Sequence, residues 1–411
     1  MKFAIIGYGG RGMVYEECLK KLNGEISAVC DINPEKIALA KKNIGLADTQ
    51  LFLSEDTFFE KKRGDVLMIC TQDALHLRHA KRALALGYDL LLEKPIATNV
   101  ADCDEILQAA KAAGRQVFVC HVLRYAPFFN EIKRRIDSGK YGKVVTISLT
   151  ENVAYWHQAH SFVRGEWRND ETSNPMIIAK CCHDLDLLCW FVNEKCESVS
   201  SFGSLQYFNP AHAPEGAAKR CLNCKHIKSC PYSAERIYIK DRAEKGDLLW
   251  PCDAVVPEPT VEKLYEVLKM SPYGRCVYTC DNNVVDHQVV NMLFEGGATA
   301  QLTMTAFSKD CYRQIHIHCE KGEIYGNNEE GKLYCNLFGG EQEVVDVNIG
   351  WDTAYGHGGG DWRMVADIID GAAGKGGENL TSIEKSIQSH YIGFAAEESR
   401  QKGGVLIRVD K

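Results

Sequence analysis

The apolar run Phe3-Ala4-Ile5-Ile6 leads directly into Gly7-Tyr8-Gly9-Gly10-Arg11-Gly12, and a helical pattern covers about 11–22. A strand, a G-x-G-x-x-G turn and a helix open a βαβ unit. The glycines permit the tight turn and let backbone N–H groups at the helix N-terminus approach a pyrophosphate. On its own the motif also describes a plain strand-to-helix turn, and the next strand narrows the choice. Ile26–Cys30 reads as a second buried strand, and Asp31 ends it 19 residues beyond Gly12. A carboxylate there accepts the ribose hydroxyls of a dinucleotide and repels a 2′-phosphate, which favours NAD over NADP.

The pattern continues through the first 120 residues. Val66–Cys70, Leu90–Leu92 and Val117–Val119 read as buried strands, and 34–43, 73–86 and 99–113 as helices, with Asn33-Pro34 and Asn99 as start signals. Short apolar strands alternating with helices imply an α/β Rossmann domain, residues 1–122, with a doubly wound parallel sheet. Residues 123–411 read differently. Helices are expected over 126–138 and 176–192 and a strand over Val144–Leu149. Ala300, Leu302, Met304 and Ala306 alternate with polar neighbours, as Ile315 and Ile317 do with His316 and His318. Period two means a sheet packed on one face, so the second domain is expected to be α+β with a mostly antiparallel open sheet. Residues 208–280 fit neither pattern and read as a Cys-rich insertion. Residues 361–399 return to helices after Gly358-Gly359-Gly360.

Among 411 residues, 48 basic and 55 acidic side chains give a net charge of −7 without a basic stripe. That argues against nucleic acid and anionic membranes as partners. No apolar run approaches the ~18–20 residues that cross a bilayer. The strand-to-glycine opening leaves no room for a signal peptide, so a cytoplasmic chain is expected. Its 18 cysteines should then be thiols or metal ligands rather than disulfides.

Glu93-Lys94-Pro95 follows Leu90–Leu92 at the carboxyl edge of the sheet, where open α/β sheets bind ligands. Lys94 is placed to hydrogen-bond a reacting hydroxyl, although a solvated surface lysine has the same spelling. His183, in Lys180-Cys181-Cys182-His183-Asp184-Leu185-Asp186, suits general acid/base work because its ordinary pKa lies near neutrality. It reads equally as a histidine packed under the sheet. In residues 151–168, Tyr155, Trp156, His157, His160, Arg164 and Trp167 supply rings and multidentate donors of the kind a carbohydrate needs; a domain-interface loop would look similar. Asp286-His287 offers another polar pair that can reach a cleft or pair within the sheet.

Together, the glycine turn, Glu93-Lys94-Pro95, Arg124-Tyr125 and the His183-Asp184 helix resemble the Gfo/Idh/MocA oxidoreductases across nearly the whole chain. The resemblance implies nicotinamide-dependent oxidation or reduction of sugars, inositols or glycosides, and a homodimer or homotetramer built on the open sheet. Carried over, Lys94 and His183 are the catalytic pair. Thr71 to His76 line the nicotinamide side, and Gly7, Gly9, Gly10, Arg11, Gly12, Asp31, Glu93 and Lys94 complete the cofactor set. Arg124, Tyr125, Lys180 and His287 join the aromatic segment as substrate candidates. Many family dehydrogenases carry an aspartate four residues before the histidine, where this chain has Ala179. That departure keeps a second reading open, in which transient sugar oxidation permits elimination and the enzyme works as an NAD-dependent glycosidase or lyase. A NAD-bound sensor without turnover is a third.

Cys221-x2-Cys224-x5-Cys230 supplies three closely spaced thiols, with Cys252, Cys276, Cys280 or His226 as a fourth ligand and Cys276 the working choice. Sulfur-rich sets of this kind hold structural zinc. An iron–sulfur cluster is the alternative, although the spacing differs from the tighter ferredoxin run. Cys181-Cys182 reads as packing.

Overall fold

The structure is a computed structural model and describes residues 1–347, 356–373, 375 and 381–409. The N-terminal strands are β1 (Lys2–Ile6), β2 (Glu25–Cys30), β3 (Leu51–Phe52), β4 (Val66–Ile69), β5 (Asp89–Leu92) and β6 (Val117–Val119). They form a parallel sheet ordered β3-β2-β1-β4-β5-β6. Helices cover both faces, so Phe3, Ala4 and Ile5 on β1 and all of β4 are fully buried, which is why these strands spell continuous apolar runs. β3 went unread because two residues carry no periodicity. Strand order reverses at β1, between β2 and β4, and a crevice opens beyond their carboxyl ends.

The start signals act as expected. Asn33 accepts the Glu35 N–H and Asn99 the Asp102 N–H, opening the helices Pro34–Ile44 and Val100–Ala113. The turn at the first helix is fixed by packing. Gly7 has φ +88°, and a Cβ on it would lie 2.6 Å from the Cys70 carbonyl oxygen. A Cβ on Gly12 would lie 2.5 Å from the Gly7 carbonyl oxygen.

The second sheet contains β7 (Val144–Ala154), β8 (Cys196–Ser204), β9 (His287–Phe294), β10 (Thr299–Ser308), β11 (Tyr312–Cys319), β12 (Gly322–Asn327), β13 (Lys332–Leu337), β14 (Gln342–Asp346) and β15 (Ile407–Arg408). Their order is β14-β13-β12-β11-β7-β10-β9-β8-β15, antiparallel throughout except at β7–β10. The period-two residues of β10 and β11 point into the core as read. Helices Pro127–Asp137, Cys182–Val192 and Ile383–Gln401 pack on one face. The other exposes Val145, Phe202, Leu293 and Phe307. Between β8 and β9 lies the insertion, short helical pieces around an apolar cluster of its own that includes Phe208, Ile237 and Tyr238. Parts of the 361–399 segment fall outside the described residues. The helices Gly356–Ala372 and Ile383–Gln401 occupy the rest. No described helix is long and apolar enough to cross a membrane.

The single helix expected over 176–192 is instead broken into Met176–Ala179 and Cys182–Val192, with Lys180 and Cys181 between. The apolar pattern runs across the break, so periodicity alone could not reveal it.

Buried polar contacts brace the second domain and join it to the first. Arg124 donates from Nε and Nη2 to the two Asp186 carboxylate oxygens, each at 2.7 Å, with both side chains almost fully buried. Ile96 N–H donates to His390 Nε2 at 2.9 Å, and Val119 N–H to the Thr381 carbonyl at 2.8 Å. Burial, with the nearby His121 ring next, pushes the His390 pKa down to about 3, in keeping with a neutral ring that accepts. Removing one partner of a buried bidentate pair strands the other charge. Asp186→Ala should lower unfolding free energy by about 3–5 kcal/mol in urea titrations, and Arg124→Met with Asp186→Leu should recover much of the loss. A loss under about 1 kcal/mol in the single variant would mean that the pair is solvated.

Candidate active site

The crevice beyond β1 and β4 continues under the second domain as a cleft of about 390 Å³. Gly9, Gly10, Arg11, Thr71, Gln72, Asp73, Glu93 and Lys94 line it from the first domain, and His157, Phe162, Trp167, Lys180, His183, Trp250 and His357 from the second. The cofactor end fits a dinucleotide. A Cβ on Gly9 or Gly10 would meet nothing within 4 Å, so the helix N-terminus faces open space. Asp31 stands at the end of β2, its carboxylate held by the Tyr8 N–H at 2.7 Å and the Asn33 N–H at 2.8 Å. Gly7 and Gly12 shape the turn.

Arg11 turns its guanidinium to Glu93, to Asp361 at 2.6 Å and to the Tyr15 hydroxyl at 2.7 Å. Burial works against both charged partners. Arg11 nonetheless holds the Glu93 and Asp361 carboxyls below the usual carboxylate range. His76 is fully buried, its ring between the carbonyls of Pro95 and Thr71 at 2.9 and 3.1 Å, so it braces the loop that Thr71 begins.

Lys94 leaves the end of β5, and its Nζ donates to the Ala179 carbonyl at 2.9 Å. The helix break exposes that carbonyl. A main-chain oxygen therefore meets the lysine at the position where the resemblance led one to look for an aspartate. His183 opens the next helix one turn later, 5% exposed, and its Nδ1 has no hydrogen-bond partner. Burial, reinforced by Lys94, His121 and His357, holds its pKa well below the usual 6.5. Lys180, within the break, places Nζ 3.1 Å from Glu151 Oε1. Burial opposes its charge, but Glu151 outweighs that and the pKa lies above the ordinary lysine value. Arg313 joins Glu151 at 3.0 Å to Asp184 at 2.6 Å. Burial still pushes the Asp184 carboxyl up, to about 6.

Of the substrate candidates, His157, Trp167 and Lys180 line the cleft. Others are placed elsewhere. Arg124 is committed to Asp186, and the Tyr125 hydroxyl donates to Asp367 Oδ2 at 2.6 Å. His160 is buried against the Tyr238 hydroxyl at 3.0 Å, and Arg164 is fully buried behind the cleft wall. Tyr155 packs on Tyr232, Trp156 carries the Arg242 guanidinium on its face, and His287 pairs with Asp286 at 2.8 Å. His160 and Arg164 lie on the wide helical turn Gln158–Arg164, whose Ser161 and Phe162 line the cleft instead.

Trp250 and His357 are among the cleft residues that the sequence analysis does not name. His357 precedes the glycine run, and its Nδ1 lies 2.9 Å from Asp361 Oδ2. A histidine beside three glycines was the available signal. Trp250 comes from the insertion, meeting His157 edge-on at 4.8 Å between ring centroids. Nothing in its local spelling points to a cleft about ninety residues away in sequence. Cys221, Cys224, Cys230 and Cys276 line a separate small cavity. No three of their thiols lie within 4.8 Å of one another, so the close set expected for tetrahedral zinc is not assembled. Among the described residues, the group that does meet this spacing is His316, His318 and Glu323 on the open sheet. Cys280, Cys252 and His226 turn to carbonyls of Cys276, Tyr238 and Glu215 instead.

Residues 1–121 match the oxidoreductase family with an NAD-binding Rossmann fold, and residues 133–408 match that family's C-terminal alpha/beta domain. The YteT protein of Bacillus subtilis (strain 168) is 27% identical over 374 residues, 84% of this chain and 82% of its own length. An inositol 2-dehydrogenase/D-chiro-inositol 3-dehydrogenase of Lactiplantibacillus plantarum is 27% identical over 208 residues. That match spans 50% of this chain and about half (56%) of the enzyme. Among solved structures, levoglucosan dehydrogenase with NADH and L-sorbose has a TM-score of 0.72 at 17% identity, covering 100% of this chain and 99% of that one. The WlbA dehydrogenase of Bordetella pertussis, with NADH and UDP-GlcNAcA, has 0.70 at 18%, covering 99% and 97%. A glycine turn with open space at its helix N-terminus, a lysine and a histidine lining the adjoining cleft, and matches over both domains lead to one conclusion: the chain belongs to the NAD-binding Gfo/Idh/MocA oxidoreductase family.

Proposed function

We propose that the chain oxidises or reduces a secondary hydroxyl of a sugar or glycoside. The reading is carried by the meeting of Lys94 and His183 in the one cleft that runs from the glycine turn to the aromatic wall. NAD held by Gly9, Gly10, Arg11 and Asp31 supplies the hydride acceptor. In the oxidation direction, the substrate hydroxyl lies between Lys94 Nζ and the His183 ring. His183 takes the hydroxyl proton while the C–H bond of the same carbon breaks. Lys94 donates a hydrogen bond to the oxygen and stabilises its developing negative charge. A neutral His183 suits this step, because a histidine already protonated could not accept. Lys180, fixed by Glu151, retains N–H groups for a second substrate hydroxyl. Trp167 and Trp250 offer faces for the apolar side of a sugar ring. Apolar side chains on the open sheet face support pairing of subunits there.

Purified chain mixed with NAD and nitrophenyl glycosides, followed for NADH and nitrophenol together, tests the reading. Net NADH without nitrophenol is the expected result. NAD-dependent nitrophenol release without net NADH would transfer the same residues to oxidation and elimination, as in the glycosidase reading. Neither signal, with free sugars and polyols also inert, would reject the substrate class. Lys94→Met should reduce kcat by about 10²–10⁴-fold while leaving NAD binding, read by fluorescence titration, nearly unchanged; a loss below about tenfold would remove Lys94 from the reacting oxygen. The depressed His183 pKa also sets the pH response. The ring is the required base when neutral, so kcat/KM for oxidation should hold steady as pH falls through 6.5 and decline only below it. An acid limb centred at or above 6.5 that disappears in His183→Gln would show a base with an ordinary or raised pKa instead.

A further inference from the structure

Arg164 is the largest fully buried side chain among the described residues, and none of the described carboxylates pairs with it. Nε donates to the Arg275 carbonyl at 2.8 Å and Nη2 to the Tyr232 carbonyl at 2.6 Å. Nη2 also points at Cys221 Sγ at 3.4 Å, and Nη1 has no partner. A guanidinium cannot shed its proton, so a buried one requires negative charge beside it. What stands beside it is sulfur. Cys221, Cys224, Cys230 and Cys276 line, with Arg164, a cavity of about 20 Å³. As neutral thiols they give the guanidinium no counter-charge. As metal-bound thiolates, which the metal keeps deprotonated, they do.

Spacing separates the metal centres that four thiolates can hold. Tetrahedral zinc with bonds of about 2.3 Å draws its sulfurs to within about 3.8 Å of each other. Here no three lie within 4.8 Å, although all four face one cavity. A cubane cluster carries its irons apart and takes thiolates that are correspondingly farther apart. Pro231 directly after Cys230 repeats the Cys-Pro ending of the bacterial ferredoxin run. We propose that Cys221, Cys224, Cys230 and Cys276 hold a [4Fe–4S] cluster, with Arg164 as its buried counter-charge. Four thiolates leave the cluster no open iron for a substrate, and its place in the insertion, in a cavity separate from the cleft, assigns it a structural role. It ties the segment from Cys221 to Tyr232 to the Cys276–Tyr278 end of the insertion. Arg164 terminates the turn whose Ser161 and Phe162 line the cleft, so the cluster and the cleft wall share an element.

The chain purified without oxygen should contain about four iron and four acid-labile sulfide per polypeptide, with broad visible absorption that dithionite bleaches. Cys221→Ser and Cys276→Ser should lose most of the iron, whereas Cys280→Ser and Cys252→Ser, whose thiols face elsewhere, should retain it. Zinc at one per chain that persists after reconstitution with iron and sulfide would overturn the cluster. So would a chain that binds no metal, or iron retained in full by Cys276→Ser. Metal content is read without substrate or NAD, so this result stands apart from the oxidoreductase assay.

Discussion

The hydrogen bond from Lys94 to the Ala179 carbonyl is the contact around which the cleft is organised. It joins the carboxyl edge of a parallel sheet to a helix of the other domain, and it depends on that helix being interrupted. In an unbroken helix the Ala179 carbonyl would accept from the N–H four residues on and be unavailable. The break supplies an acceptor for the lysine, puts Lys180 into the cleft, and restarts the helix so that His183 lies in its first turn. Neighbouring contacts keep these parts in register. Arg124 grips Asp186, one turn beyond His183, and His390 takes the Ile96 N–H just past Glu93-Lys94-Pro95. Each lies within a few residues of the proposed catalytic pair, so domain packing and site geometry are set by the same segments.

Cations outnumber free anions around the reacting end of the cleft. Glu93 and Asp361 are drawn to Arg11, Glu151 is shared by Lys180 and Arg313, and Asp184 is paired with Arg313. The field acts on the histidines as well. Burial and the neighbouring positive charges depress His121, His157 and His183 alike. The proposed reaction places negative charge on a substrate oxygen, which the field favours, and delivers a proton to a ring that the field has kept unprotonated. An aspartate in place of Ala179 would compete for Lys94 as a charged partner. A carbonyl holds the lysine with a weaker dipole and leaves its charge available to the substrate.

The Rossmann half was legible because a sheet buried on both faces forces continuous apolar runs and because its turn cannot be built without glycine at position 7. The antiparallel half was legible where one face stays wet, as in β10 and β11. Lys94 and His183, read from motif and chemistry, both line the cleft. Arg124, Tyr125, His160 and Arg164 were misplaced for one reason: polar side chains near a site satisfy the fold as readily as they bind a ligand, and only partners decide between the two. Arg124 found Asp186, 62 residues away, and Arg164 found carbonyls and a thiol more than 50 away. Neither pairing leaves a trace in local spacing. The helix break left none either, since neither Lys180 nor Cys181, which form it, is a glycine or proline that would mark an interruption.

The insertion between β8 and β9 explains how a family scaffold can acquire a distinct substrate end. Its entry and exit lie on neighbouring antiparallel strands, so the two sheet strands pair normally whatever the loop contains. Freed from the sheet, the segment has little regular structure and must be held by its own cluster of Phe208, Ile237 and Tyr238 and by the polar contacts of Arg164. Such a unit has a small core for its size, the situation in which covalent or metal staples add most. Its delivery of Trp250 to the cleft requires a fixed path from the sheet, because an aromatic face placed an ångström out would no longer meet a bound ring. Rigidity in the insertion is therefore a requirement of the site, and the four cysteines stand where it can be met.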